Sequence, residues 1–145
     1  MDFKTFLNES EENSDLKATL RKLPENHRKL VAGYQFKFQP GNTLKQDKNS
    51  IGEIDEEKKI ITVCAPWNYG RQFTLLHEIG HLVWKYIMDE GLRDKWKKAY
   101  NSVKHKQSQG MQEIFCMSYA NYYAKNKVEI HNHKEWLDFI KNLPR

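Results

Sequence analysis

The sequence predicts an α+β domain, a small and mostly antiparallel sheet enclosed by helices. Apolar residues recur at helical spacing before residue 33 and after residue 70, whereas a period of two and a β-branched run occur only between residues 34 and 64. The 145 residues suit one domain with room for a real core. Hydrophobic residues make up 39% and charged residues 30%, with seven Tyr, seven Phe and four Trp, which is too aromatic for a disordered chain and too polar for a membrane protein.

The acidic segment ESEENSD makes residues 1–14 a flexible leader ahead of a single domain over 15–145. Ser14 is placed as an N-cap before the stripe Leu16, Leu20, Leu23. Pro24 opens a second short helix that Gly33 closes. YQFKFQ alternates Tyr34, Phe36 and Phe38 against Gln35, Lys37 and Gln39, a half-buried strand ended by Pro40 and Gly41. IGEIDEEKKIITVC reads as a hairpin turning at 55–58, its second strand the run Ile60 to Val63. The loop APWNYG leads to a helix over about 71–88, and Leu92, Trp96, Tyr100 and Val103 mark the next. After the loop KHKQSQG come a helix over about 111–125 and a last one with Trp136, Phe139, Ile140 and Leu143 on one side. Asn132 and Glu135 suggest a capping box at its start.

Net charge and cysteines narrow the functional classes. The formal charge of +5 and the basic stretch from Lys85 to Lys106 permit a nucleic-acid partner, but Asp89, Glu90 and Asp94 interrupt it and no nucleic-acid-binding motif accompanies it. A solvated helix face is the expectation. Cys64 and Cys116 fit neither a disulfide framework nor a Cys-x-x-Cys metal pair and read as buried thiols. No apolar run reaches the roughly 20 residues of a membrane span, and MDFKTFLNES lacks the features of a secretory signal, so the cytoplasm is the expected location.

The chemistry concentrates in TLLHEIGHLVW, residues 74–84. Positions four apart on a helix lie about 40° around and about 6 Å along the axis, so His77 and His81 can converge on one ion. Glu78, one position on, can reach a water at that ion and act as general base. The competing reading is a histidine-bearing core helix. Against it, Phe73, Leu76, Ile79 and Val83 make the helix apolar, and a buried Glu78 without a cation would be costly. Gly80 in mid-helix implies the close approach of another element.

A catalytic zinc takes a third protein ligand. Asp89, Glu90 and Asp94 follow too soon, and His131 and His133 belong to a polar stretch expected to face water. Glu113 heads a small apolar face of Cys116, Met117, Ala120 and Ala124, suited to pack against Gly80. It reads as the third ligand, or else as a first-turn glutamate favoured by the helix dipole.

His77, Glu78, His81 and Glu113 together resemble the zincin metallopeptidases in the gluzincin arrangement. The run QEIFCMSYANYY, with LPENHRKLVAGYQFKF and the GEID/KKIITV hairpin, is similar to the catalytic domain of anthrax lethal factor and the Pro-Pro endopeptidases over residues 15–125. The resemblance implies a zincin-like fold and Zn2+ on His77, His81 and Glu113. It also implies a peptide or protein substrate, lying antiparallel along Lys59–Cys64, hydrolysed with Glu78 as base. Relatives carry an oxyanion-steadying tyrosine seven residues before the glutamate. Lys106 stands there in this chain, with Tyr100 and His105 the nearest substitutes. A second likeness, of FKTFLNES to leaders of proteins packaged in phage heads, implies trimming after Leu7-Asn8-Glu9. The alternative is an amphipathic turn that docks Phe3, Phe6 and Leu7. Two functional expectations follow: a zinc peptidase, or a catalytically inactive zincin-like module of a phage particle or protein complex.

Overall fold

The computed structural model describes residues 11–66, 70–103, 110–125 and 132–145, with side chains from residue 17 onward. The trimming sequence Leu7-Asn8-Glu9, His105, Lys106 and His131 lie outside the described residues.

Helix α1 (Glu11–Lys22) begins ahead of the expected cap, so Ser14 lies inside it. Pro24 caps the short α2 (Glu25–Leu30), and Gly33 at φ 83° turns the chain into β1 (Gln35–Phe38). Strands β2 (Gly52–Asp55) and β3 (Ile60–Val63) form the expected hairpin, in whose turn Asp55 Oδ1 accepts the Lys58 N–H at 3.0 Å.

The sheet order is β1-β3-β2, with β3 antiparallel to β2 and parallel to β1. The sheet is therefore mixed rather than mostly antiparallel. Residues 39–51 carry the chain past a vacant place, and β3 fills it on its return. The central place suits β3, whose Ile61, Thr62 and Val63 are all buried, as is Cys64 after it. The edge strand β2 is half-buried to exposed.

Helix α3 (Gly70–Tyr86) lies across the sheet and buries Phe73, Leu76, Ile79 and Val83, the stripe the sequence predicted. Asp89 caps α4 (Glu90–Asn101) by accepting the Leu92 N–H at 2.8 Å. Helix α5 (Met111–Tyr123) runs beside α3, and α6 (Lys134–Lys141) closes over α4 and α5. Trp96 centres that second layer, its ring 5.5 Å from Phe115 and 5.2 Å from Phe139, with Nε1 donating to the Met111 carbonyl at 2.8 Å. The expected Asn132 capping box is not formed. Helix α6 enters one residue later than that motif requires, with His133 at the cap and no side-chain cap bond. His133 is half-buried rather than facing water, its ring edge-on to Trp136 at 4.5 Å. No described helix is long and apolar enough to cross a membrane.

One buried polar pair gives the fold a pH dependence. His27 is fully buried and its Nδ1 lies 2.9 Å from the Tyr119 hydroxyl. Burial, reinforced by the charge of Arg145, lowers its pKa from 6.5 to about 4. The unfolded chain therefore binds a proton that the folded chain refuses between those values. Stability falls as pH is lowered through that window, by about 3 kcal/mol at most. Urea midpoints measured from pH 7 to pH 4 should drop, and a His27→Gln variant should show a shallower drop over the same range.

Candidate metal centre

The site is made where α3 and α5 come closest. A Cβ on Gly80 would stand 3.1 Å from the Cys116 Cα, nearer than ordinary side chains tolerate, so glycine is what lets the two backbones meet. The small face predicted for α5 is buried there, with Cys116 and Ala120 at 0% exposure. Both cysteines are free and buried, as the sequence indicated. Glu113, one turn before Cys116, is thereby carried to the histidines of α3.

His77, His81 and Glu113 come together as expected. Glu113 Oε1 hydrogen-bonds His77 Nε2, and its Oε2 lies 3.4 Å from His81 Nε2. The two imidazoles are 4.9 Å apart and nearly perpendicular. Glu78 joins from the other side, its Oε1 3.4 Å from His77 Nδ1. One donor atom from each of His77, Glu78 and His81 lies within 4.8 Å of the others. Exposure grades across the site: the side chains of His77 and Glu78 are buried, whereas His81 and Glu113 are 28% and 35% exposed. The cluster thus has a closed side and an open side.

These groups fit a zinc ion. Two ligands on a tetrahedral zinc lie about 3.3 Å apart, given bonds near 2.0–2.1 Å, close to the His81–Glu113 separation. His77 Nε2 and Glu113 sit closer than that and must part to share an ion. His77 Nδ1 is buried with no hydrogen-bond partner among the described residues, because Glu78 faces it without hydrogen-bond geometry. A second-sphere acceptor or a cation would answer that nitrogen.

The electrostatics of the cluster favour a bound positive charge. Burial pulls the His77 imidazole toward its neutral form, but the hydrogen bond to Glu113 and the negative charge of Glu78 and Glu113 outweigh it and raise its pKa to about 9. The hydrogen bond from His77, followed by that from His81, holds the Glu113 carboxyl well below the usual carboxylate range. Two carboxylates against two imidazoles leave the cluster drawing positive charge, which a proton or a divalent cation supplies.

Two supporting residues escaped the sequence reading. A Cβ on Gly52 would stand 2.6 Å from Glu78 Oε1, so β2 must begin with glycine for the carboxylate to fit. A glycine inside a strand run signals such an approach, and Gly52 carried that signal unread. Gln112 places its side-chain amide 3.2 Å from His81 Nδ1. Turning the amide over offers its oxygen to an Nδ1–H, the tautomer that frees Nε2 for a metal. Nothing in the local sequence pattern marks Gln112 for this role. Tyr100, by contrast, does not reach the site, because it stacks on Trp136 at 6.2 Å and 12° in the α4–α6 layer.

Searches of protein families, curated proteins and solved structures found no match to this chain.

Gln112→Leu should weaken zinc binding by about 10- to 100-fold without unfolding the chain, measured by competition with a chromogenic chelator. Gly52→Ala should leave zinc stoichiometry unchanged but displace Glu78, visible as loss of whatever turnover the wild type supports.

Proposed function

We propose that the chain is a zinc-dependent peptidase of the zincin type, with His77, His81 and Glu113 as ligands and Glu78 as general base. The observation that carries this reading is the convergence of two imidazoles and two carboxylates from α3 and α5, buried on one side and open on the other. Zinc bound there would supply a Lewis acid for the scissile carbonyl and lower the pKa of water. The protein's own groups do the rest. Glu78, wedged against Gly52, takes the proton of the attacking water and passes it to the leaving amine. Gln112 fixes the His81 ring, and the Gly80 contact fixes the distance between the helices that hold the ligands.

Peptide docking along Lys59–Cys64 is overturned by the sheet. Strand β3 is central, with β1 hydrogen-bonded on one side and β2 on the other, so it has no free edge. The substrate strand is reassigned to β2, which pairs on one side only among the described strands and begins at Gly52 beside Glu78. Main-chain hydrogen bonds to that edge would provide affinity independent of sequence.

A second reading has one observation in its favour. No tyrosine lines the cleft beside Glu78 and His81 among the described residues, so the oxyanion donor of the resembling enzymes has no counterpart there. An inactive zincin-like binding module would need none.

One experiment separates the two. Zinc content by elemental mass spectrometry and cleavage of a mixed peptide library are measured on wild type, Glu78→Gln and His81→Ala. A peptidase binds about one zinc per chain, loses it in His81→Ala, and in Glu78→Gln keeps the metal while turnover drops at least about 100-fold. Zinc retention with no cleavage by the wild type would favour the binding module, and a metal-free wild type would sink the zinc site itself.

A further inference from the structure

Beside the metal centre the open side continues into a cleft of about 490 Å3, between β2 and the C-terminal half of α3, with walls that include Ile54, Leu82 and Trp84. That volume accommodates one or two substrate residues. Glu78, His81 and Gln112 form the end nearest the metal centre, and Glu56, Lys85 and Arg93 bring further charge.

Two carboxylates and two cations balance along the cleft, but they are not all paired with one another. Glu56 binds both Lys85, Nζ to Oε2 at 2.5 Å, and the Tyr86 hydroxyl, so Lys85 is already matched. Glu78 is turned toward Gly52 and His77. Arg93 remains, and it makes no ion pair among the described residues. Its Nη2 donates to the Trp84 carbonyl at 2.8 Å, and its guanidinium lies 4.8 Å from the Trp84 ring centroid. Its Nε is buried with no hydrogen-bond partner among the described residues. A half-buried guanidinium that packs against an indole and meets no carboxylate among the described residues gives the cleft wall a charge that a planar two-oxygen acceptor would match.

We propose that Arg93 makes this cleft a carboxylate-binding subsite. The inference rests on the peptidase reading for its substrate class, a peptide carrying a carboxylate beside the scissile bond. That carboxylate is an Asp or Glu side chain or the peptide's own C-terminus. The guanidinium pairs with it through N–H groups at the cleft wall, while Ile54, Leu82 and Trp84 exclude water around the pair. Lysine in this place would supply charge but not the fork.

The test has a binding arm that needs no turnover. In nitrogen-15-labelled, zinc-loaded full-length protein, the Arg93 Nε–H resonance is followed during titration with N-acetylglutamate α-amide, N-acetylalanine and, as neutral control, N-acetylglutamine α-amide. The proposal expects the Arg93 signal to move with one or both carboxylate probes and not with the neutral one. The first probe reports a side-chain carboxylate and the second a terminal one. An Arg93 signal that ignores both carboxylates, or follows the neutral probe equally, overturns the subsite.

The activity arm compares peptides with acidic residues, their Asn/Gln counterparts, and free or amidated C-termini. Arg93→Gln should lower kcat/KM for the favoured carboxylate peptide by about tenfold or more while leaving the amide counterpart unchanged, and Arg93→Lys should recover only part. Equal losses on acid and amide peptides would mean that Arg93 only supports α3, and would also overturn the subsite. A wild type that cuts no peptide removes the peptidase reading, whereas the resonance titration still decides whether the cleft binds carboxylates.

Discussion

The contact on which the rest of the site depends is the meeting of α3 and α5 at Gly80. The missing side chain there brings the helices to a distance at which a Cβ would stand 3.1 Å from the Cys116 backbone. Glycine in the middle of a helix costs about 1 kcal/mol relative to alanine, and the tight contact between two otherwise apolar faces offsets it. Glu113 lies one turn before Cys116 and His77 one turn before His81, so the backbone contact fixes the carboxylate against both rings. Any widening of the helix pair would carry Glu113 away from both rings.

The same closeness creates an electrostatic problem that the fold does not relieve with ordinary salt bridges. Glu78 and Glu113 approach His77 from opposite sides, in surroundings where a buried charge is expensive. Burial by itself would keep His77 neutral, yet its proton affinity rises. A structural ion pair would be satisfied by one carboxylate and one base. Here a second carboxylate and a second imidazole are added, and the Nδ1 of His77 is left without a hydrogen bond among the described residues. An arrangement so poor as a core is held at a local cost that the packing around it carries.

The parts of this architecture that were legible in the sequence are those set by period and residue type. The apolar stripe on α3, the small face of α5 and the β-branched strand each follow from which positions must be buried, and each lies within a residue or two of its expected bounds. The convergence of His77, His81 and Glu113 was legible because helical spacing fixes the first two and an isolated carboxylate on an apolar face betrays the third. What escaped depends on contacts between elements distant in the chain. The place of β3 in the centre is not written in the hairpin itself but in how residues 39–51 route the chain. Gln112 meets His81 only through the α3–α5 contact, and Gly52 meets Glu78 only once the sheet has packed on α3. The start of α1 and the cap of α6 were displaced because propensity at helix ends is weak beside the packing of the turns that follow.

The order of strands gives the cleft its character. Because β3 takes the centre, the strand nearest Glu78 and the two histidines is β2, and a strand's alternation then divides its work by parity. Gly52 and Ile54 point toward α3, one making room for Glu78 and the other forming the cleft wall, while Glu53 points away and accepts a hydrogen bond from Gln46. A single short strand therefore leaves space for Glu78, shapes the pocket and keeps one edge unpaired among the described strands. Had β2 been inserted in the centre instead, its edge would be consumed and the cleft beside His81 would face a closed sheet. The position of this hairpin, more than the histidine motif alone, leaves the cluster of imidazoles and carboxylates beside an open cleft rather than sealed in a core.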